Sequence, residues 1–289
     1  MSFNRRNFFK TMCVAGATLA VGNSFGAANS EEQTVEFQGV LYDATRCIGC
    51  LACERVCAKA HSLPEPKKVK PEVGVIRKTS ENQRTAINNH HTSKGEVYVK
   101  NQCMHCNEPA CAAACLTMAM YKTKEGPVVW RGDKCMGCRY CMVSCPFDVP
   151  KFEYYSANPK IEKCDMCYDR IKEGKIPACA EACPGDALTF GTRRELIEEA
   201  RKRIFESPKD YVNQIWGEEV AGGTGWLYLS AAPFNEVGFN TKMQNTSYPE
   251  LSKGFLYSVP SVFVLVPPLL LGIHEATKRN GNKIEQENE

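Results

Sequence analysis

The chain has 289 residues, and its 36 basic and 33 acidic side chains leave a formal charge of +3. That length suits one large domain or two small ones, and so balanced a charge gives no reason to expect nucleic acid as a partner. Cysteine is the outlier at 17 residues: a chain so rich in thiols is either stapled by disulfides or filled with metal, and spacing must decide.

Taken in chain order, the first element is an address. Asn4-Arg5-Arg6-Asn7-Phe8-Phe9-Lys10 sets a twin arginine before two aromatics and a lysine, and residues 12–21 are weakly apolar. Gly26-Ala27-Ala28 fits a small-residue cleavage site. Residues 1–28 therefore read as a twin-arginine signal peptide, whose pathway exports proteins already folded around their cofactors. Cys13 lies inside this segment with no lipobox before it and stands apart from the other sixteen.

Residues 29–250 form the body. The first cysteine group is Cys47, Cys50, Cys53 and Cys57. A polar insertion over residues 61–100 follows, with short strand character at 73–76 and 97–99. Residues 79–95 between them read as an exposed loop, and His90 and His91 as solvated loop histidines. The second group is Cys103, Cys106, Cys111 and Cys115, and the third Cys135, Cys138, Cys141 and Cys145. Between them Pro127-Val128-Val129-Trp130 reads as a strand. The fourth group, Cys164, Cys167, Cys179 and Cys183, is likewise followed by a strand, Ala187-Leu188-Thr189-Phe190. Cysteines, a short helix and a short strand thus recur.

Thr192 with Glu195 three residues on caps a helix to Phe205, whose apolar face is Leu196, Ile197, Ala200, Ile204 and Phe205. Gly222-Gly223-Thr224-Gly225 is no nucleotide loop, because Tyr228 stands where the last glycine belongs and the strand–turn–helix context is missing. Trp226-Leu227-Tyr228-Leu229 reads as another short strand. Residues 254–273 carry no charge, and a membrane helix needs about 20 such residues. Pro260, Pro267 and Pro268 are tolerated in such a span. Lys278, Arg279 and Lys283 beyond it favour a cytoplasmic C-terminus. Residues 251–289 are therefore expected to be a membrane anchor with a cytoplasmic tail.

The chemistry follows from spacing. Groups one and three share C-x2-C-x2-C-x3-C: three close thiolates curl around one cubane cluster, and the fourth points to the other cluster of a two-cluster module. Group two is C-x2-C-x4-C-x3-C and group four C-x2-C-x11-C-x3-C, expansions of the same plan. Pro146 and Pro184 complete a Cys-Pro signature that Ala58 and Leu116 lack. Structural zinc is usually held by two separated C-x2-C pairs, and disulfides between such crowded thiols close few long loops. Iron–sulfur clusters are the expected occupants, with a zinc- or disulfide-stabilised exported binding module as the alternative from another class.

Particular stretches add detail: Gln102-Cys103-Met104-His105-Cys106 with Pro109; Cys138-Arg139-Tyr140-Cys141-Met142-Val143, then Cys145-Pro146-Phe147 and Val149-Pro150-Lys151; and Gly191-Thr192-Arg193 with Glu195-Leu196. With the twin-arginine start and single C-terminal span, they resemble the four-cluster ferredoxin-like iron–sulfur subunits of bacterial respiratory oxidoreductases, in particular the hydrogenase-2 type. The β subunit of membrane-bound formate dehydrogenase is similar in most of these features. The resemblance covers roughly residues 41–228 and extends to the anchor.

What it implies is an α+β fold of two ferredoxin-like dicluster modules with a C-terminal transmembrane helix, holding four [4Fe-4S] clusters. By the same resemblance, Cys47, Cys50, Cys53 and Cys183 hold one cluster, and Cys57, Cys164, Cys167 and Cys179 its neighbour. Cys103, Cys106, Cys111 and Cys145 hold the third, and Cys115, Cys135, Cys138 and Cys141 the fourth. The implied partners are a catalytic subunit, either a [NiFe] hydrogenase or a molybdopterin enzyme, and a quinone-reactive membrane subunit, at the periplasmic face of the cytoplasmic membrane. No independent nucleophile–base set is visible, so the expectation is electron transfer without substrate chemistry. A freestanding membrane-anchored ferredoxin is a further possibility.

Overall fold

The computed structural model describes residues 36–67 and 69–287, so the twin-arginine segment, its cleavage site and Cys13 lie outside the described residues. The elements run β1 (Gln38–Asp43), α1 (Ala52–Ala60), β2 (Ala86–Thr92), β3 (Gly95–Asn101), α2 (Ala110–Ala113), β4 (Met120–Lys122) and β5 (Val128–Trp130). There follow α3 (Tyr140–Val143), β6 (Lys151–Phe152), β7 (Ile161–Glu162), α4 (Tyr168–Lys172), α5 (Ala178–Glu181), β8 (Leu188–Thr192), α6 (Arg193–Glu206), β9 (Trp226–Leu229) and α7 (Tyr248–Glu287).

Alternation along a strand sends successive side chains to opposite faces, and β1 uses both. It lies between β8, antiparallel, and β9, parallel. Val40 pairs with Trp226 and Tyr42 with Tyr228, while Leu41 pairs with Leu227. Leu41, Leu227 and Leu229 pack with Leu196, Ala200 and Ile215 in a layer under α6, each of the larger side chains contributing about 1.5–3 kcal/mol on full burial. Val40, Tyr42, Trp226 and Tyr228 face the other way, into a core that also contains Cys53 and Cys179. The sheet therefore separates a helix layer from a cysteine-bearing layer. Thr192 closes a capping box with Glu195 at the start of α6, as its sequence signature predicts.

Two expectations for the insertion need correction. The segment read as an exposed loop contains β2, which pairs with β3 over seven residues. His90 is buried in β2 and packs against Gly238, where an added Cβ would come within 2.7 Å of its ring; His91, its neighbour, is exposed. After Ala86 and Ile87 the strand continues with Asn88, Asn89 and His90, polar on both faces, so it lacked an apolar period to reveal it. Conversely, residues 73–76 make only the isolated bridge between Val73 and Asn89. The insertion is fastened to α1 by Glu54, whose buried carboxylate accepts hydrogen bonds from Arg77, Gln83 and the Ile87 amide.

At the C-terminus, 28 residues of α7, Tyr248–Glu275, are long and apolar enough to cross a membrane. Pro260, Pro267 and Pro268 lie inside the helix, and Phe255, Leu265 and Leu270 are exposed. That surface is uncovered in the chain by itself, as a lipid-facing one would be.

Candidate iron–sulfur centres

Each C-x2-C turn is built alike. Its third residue is left-handed in all four groups: Gly49 (φ 67°), His105 (φ 49°), Gly137 (φ 74°) and Met166 (φ 58°). A left-handed residue turns the chain sharply, bringing the flanking thiols and amides to one side. Only two of the four positions are glycine, so His105 and Met166 each carry backbone strain of about 1–2 kcal/mol. The last cysteines of groups two, three and four repeat a second device. Met118, Asp148 and Asp186 are left-handed and return a backbone hydrogen bond to Cys115, Cys145 and Cys183.

The short helices bring the groups together in pairs. α1 packs on α5, joining group one to group four, and α2 packs on α3, joining group two to group three. Cys47, Cys50, Cys53 and Cys183 line one cavity with Tyr42, Leu51 and Ile87. Cys115, Cys135, Cys138 and Cys141 line another, walled by Met120, Trp130 and Ile161. Cys106 has Cys103, Cys111 and Cys145 as electrostatic neighbours. Cys57 lies among Cys179 and Cys167, and Cys164 beside Cys57 and Cys179. In every set three thiols come from one group and the fourth is the last cysteine of its partner. All sixteen are free thiols, with Cys50 and Cys138 exposed.

Burial pushes the Cys57 and Cys111 thiols up to about 12 and those of Cys141 and Cys167 up to about 11. Thiols held protonated in this way release their protons only to a cation that replaces them. Backbone amides already point at several sulfurs: Met120 N donates to Cys115 Sγ and Met166 N to Cys164 Sγ, both at 3.3 Å, and the amides of Gly49, Val149 and Ala178 face Cys47, Cys145 and Cys167. His105 takes a hydrogen bond on Nδ1 from the Val128 amide, leaving its proton on Nε2, a buried atom with no protein partner. Such an orphaned donor between Cys103 and Cys106 fits a bound sulfide-bearing cluster.

Three buried or part-buried lysines, which sequence reasoning missed, lie among these thiols. Lys100 Nζ donates to Gln102 Oε1 at 3.0 Å and sits 4.5 Å from the centre of the Trp226 ring. Burial alone would lower its pKa, but Cys179, Cys53, Cys164 and Cys57 hold it raised. Lys163 donates to the carbonyls of Val128 and Cys164. Lys122 donates to the Cys106 carbonyl at 2.8 Å, and burial brings its pKa down to about 8 against the pull of Cys106 and Cys103. Such cations offset the negative charge that clustered thiolates bring into a low dielectric. Only Lys163, adjacent to Cys164, carried any signal in the sequence.

A family model described as a 4Fe-4S dicluster domain matches residues 95–193. A protein of Nitratidesulfovibrio vulgaris is 42% identical over 286 residues, spanning 96% of this chain and 77% of that protein. The hydrogenase-2 operon protein HybA of Escherichia coli is 32% identical over 316 residues, spanning 96% of this chain and 95% of its own length. The chain belongs to the iron–sulfur subunits of bacterial respiratory oxidoreductases. The iron–sulfur subunit of the nitrate-inducible formate dehydrogenase of Escherichia coli is 31% identical over 204 residues, spanning 65% of this chain and 66% of that subunit. Like other iron–sulfur subunits, this one transfers electrons through [4Fe-4S] clusters.

Proposed function

We propose that the chain relays electrons through four [4Fe-4S] clusters, from a periplasmic [NiFe] hydrogenase subunit to a quinone-reactive subunit in the membrane. The observation that carries the four-cluster reading is the sorting of sixteen cysteines into four sets, each drawn from two groups. The ligand sets are those the resemblance implies: Cys47, Cys50, Cys53 with Cys183; Cys164, Cys167, Cys179 with Cys57; Cys103, Cys106, Cys111 with Cys145; and Cys135, Cys138, Cys141 with Cys115. A bound cluster supplies one-electron chemistry; the chain supplies spacing, burial and hydrogen bonds that set the potential. The hydrogenase assignment is supported by the near full-length match to HybA.

The root of α7 supports a direction. Ser247 donates to Glu108, inside the group-two loop, and α2 packs against α7. The group-two and group-three centres therefore face the membrane partner, with Leu116, Met136, Tyr140 and Val143 as an exposed apolar rim beside Cys138. Electrons enter at groups one and four. Export by the twin-arginine signal brings the folded, loaded body to the periplasmic face.

Purification from gently solubilised membranes tests this. The expected product carries about sixteen irons per chain, with a large nickel-containing subunit and an integral membrane subunit. A molybdopterin subunit instead would replace the hydrogenase reading with the formate dehydrogenase type, and a lone chain would overturn the relay. Cys183→Ser separates the ligand sets: it should alter the EPR signal of the cluster held by group one and spare the one held by Cys164, Cys167 and Cys179.

A further inference from the structure

His61, Asp165 and Cys167 offer ligand atoms within 4.8 Å of one another. The grouping has the look of a separate cation site, but two of its three members are already engaged. Arg84 NH1 reaches His61 Nδ1 at 2.9 Å and Asp165 Oδ2 at 2.9 Å, and Arg84 Nε donates to Glu162 at 2.7 Å. Asp165 Oδ1 accepts the Cys167 amide at 2.9 Å. A guanidinium seated between two carboxylates occupies the place a cation would need. His61 Nε2 faces the sulfur of Cys167 at 3.6 Å, with Asp165 Oδ1, already taken by the Cys167 amide, at 3.4 Å from the same nitrogen.

The tautomer of His61 follows from its neighbour. A guanidinium has only donors, so Nδ1 must be an acceptor and the imidazole proton must sit on Nε2. A proton on Nδ1 would face the donors of the guanidinium, so the ring carries that single N–H. Its acceptor is the thiol of the second group-four cysteine. The ring follows directly on α1, whose last carbonyls at Cys57 and Ala58 receive the His61 amide. Its position is thus set by the helix that also carries Cys57.

We propose that His61 donates an N–H···S hydrogen bond to Cys167 as a cluster ligand, and that Arg84 acts as a positioning residue that fixes the tautomer for it. The inference rests on the four-cluster reading above. A hydrogen bond to a ligating sulfur drains negative charge from the cluster and favours its reduced form. Group four thereby gains a side-chain donor to one of its own sulfurs, and its potential is raised relative to the same centre without the bond.

The test uses the membrane complex with its clusters loaded. His61→Leu should make the cluster held by Cys57, Cys164, Cys167 and Cys179 about tenfold harder to reduce, a shift of about 59 mV for one electron, with the other clusters unmoved. His61→Gln, which keeps a donor, should restore much of the shift. Arg84→Met should give a smaller shift of the same sign. In the unaltered protein, histidine-specific 15N labelling should give a hyperfine coupling on that cluster, separate from the coupling of His105 to the cluster of Cys103 and Cys106, and His61→Leu should remove only the former. Full iron content with unchanged potentials in His61→Leu would overturn the proposal while leaving the four-cluster reading intact. Should that variant lose a cluster, absence of a 15N coupling on the cluster of Cys57, Cys164, Cys167 and Cys179 in the unaltered protein would overturn it equally. An iron content far below about sixteen in the unaltered protein would instead sink the four-cluster reading itself.

Discussion

At the scale of single residues, Gly49 and Gly137 make a useful contrast. Both are third in a C-x2-C turn and left-handed, but a Cβ on Gly49 would meet the Tyr98 ring at 2.5 Å, whereas one on Gly137 meets nothing within 4 Å. Gly49→Ala is expected to lose one cluster, about four of about sixteen irons, while Gly137→Ala costs only the backbone strain of about 1–2 kcal/mol and keeps its iron. Iron analysis of the two purified variants checks this. Lys100 acts through charge. It lies among Cys53, Cys57, Cys164 and Cys179, so Lys100→Met removes a buried positive charge from beside two centres. Their midpoint potentials should fall by about 60 mV, roughly a tenfold change in the reduction equilibrium, as followed by EPR-monitored redox titration. The sixteen cysteines were legible because spacing alone marks them. Lys100 was not, because an isolated lysine in a polar stretch looks like a solvated one.

At the scale of elements, the β2–β3 hairpin is where sequence and structure part. Its polar residues find partners outside their own strand: Asn88 Oδ1 accepts from the Arg77 amide, Asn89 Nδ2 donates to Glu96, and His90 packs under Gly238. Burial holds the pKa of His90 below its ordinary value of 6.5. Its sign is therefore fixed: on acidification the unfolded chain takes up a proton before the folded one does. Stability is full above pH 6.5 and falls as pH drops from there towards the lower folded value. Amide protection factors in β2 and β3, corrected for the intrinsic exchange rate at each pH, should fall from pH 7.5 to pH 5.5 in the unaltered protein, roughly the window in which histidine titrates. His90→Gln should flatten that difference. By contrast, α6 and β9 were readable from their own residues, since the Thr192–Glu195 capping box and the Trp226–Leu229 run are local signals that burial then reinforces.

At the scale of the whole molecule, α7 is separable from the body. Apart from its root near Ser247 and Glu108, its apolar surface is uncovered, so deleting residues 254–289 removes no core. The truncated chain is expected to keep its clusters and to leave the membrane fraction for the soluble one. If the proposed hydrogenase relay holds, hydrogen-dependent quinone reduction in those membranes should then fall to background. Fractionation with iron analysis checks the first outcome and the quinone assay the second.

By itself the sequence determined which sixteen cysteines share the spacing of cluster ligands, and that the C-terminal run is apolar enough to span a membrane. It could do so because thiol spacing and hydrophobic length are local properties, readable without knowing what lies across the core. Only the tertiary structure decided the surroundings of those thiols. It packed α1 on α5 and α2 on α3, buried Lys100 against Trp226, drew Arg84 between Glu162 and Asp165, and turned His61 towards Cys167. Those side-chain contacts join residues 78 or more positions apart, where no periodicity links them. The potential of a cluster depends on charges and donors gathered in this way, and so it is a property of the fold rather than of the motif.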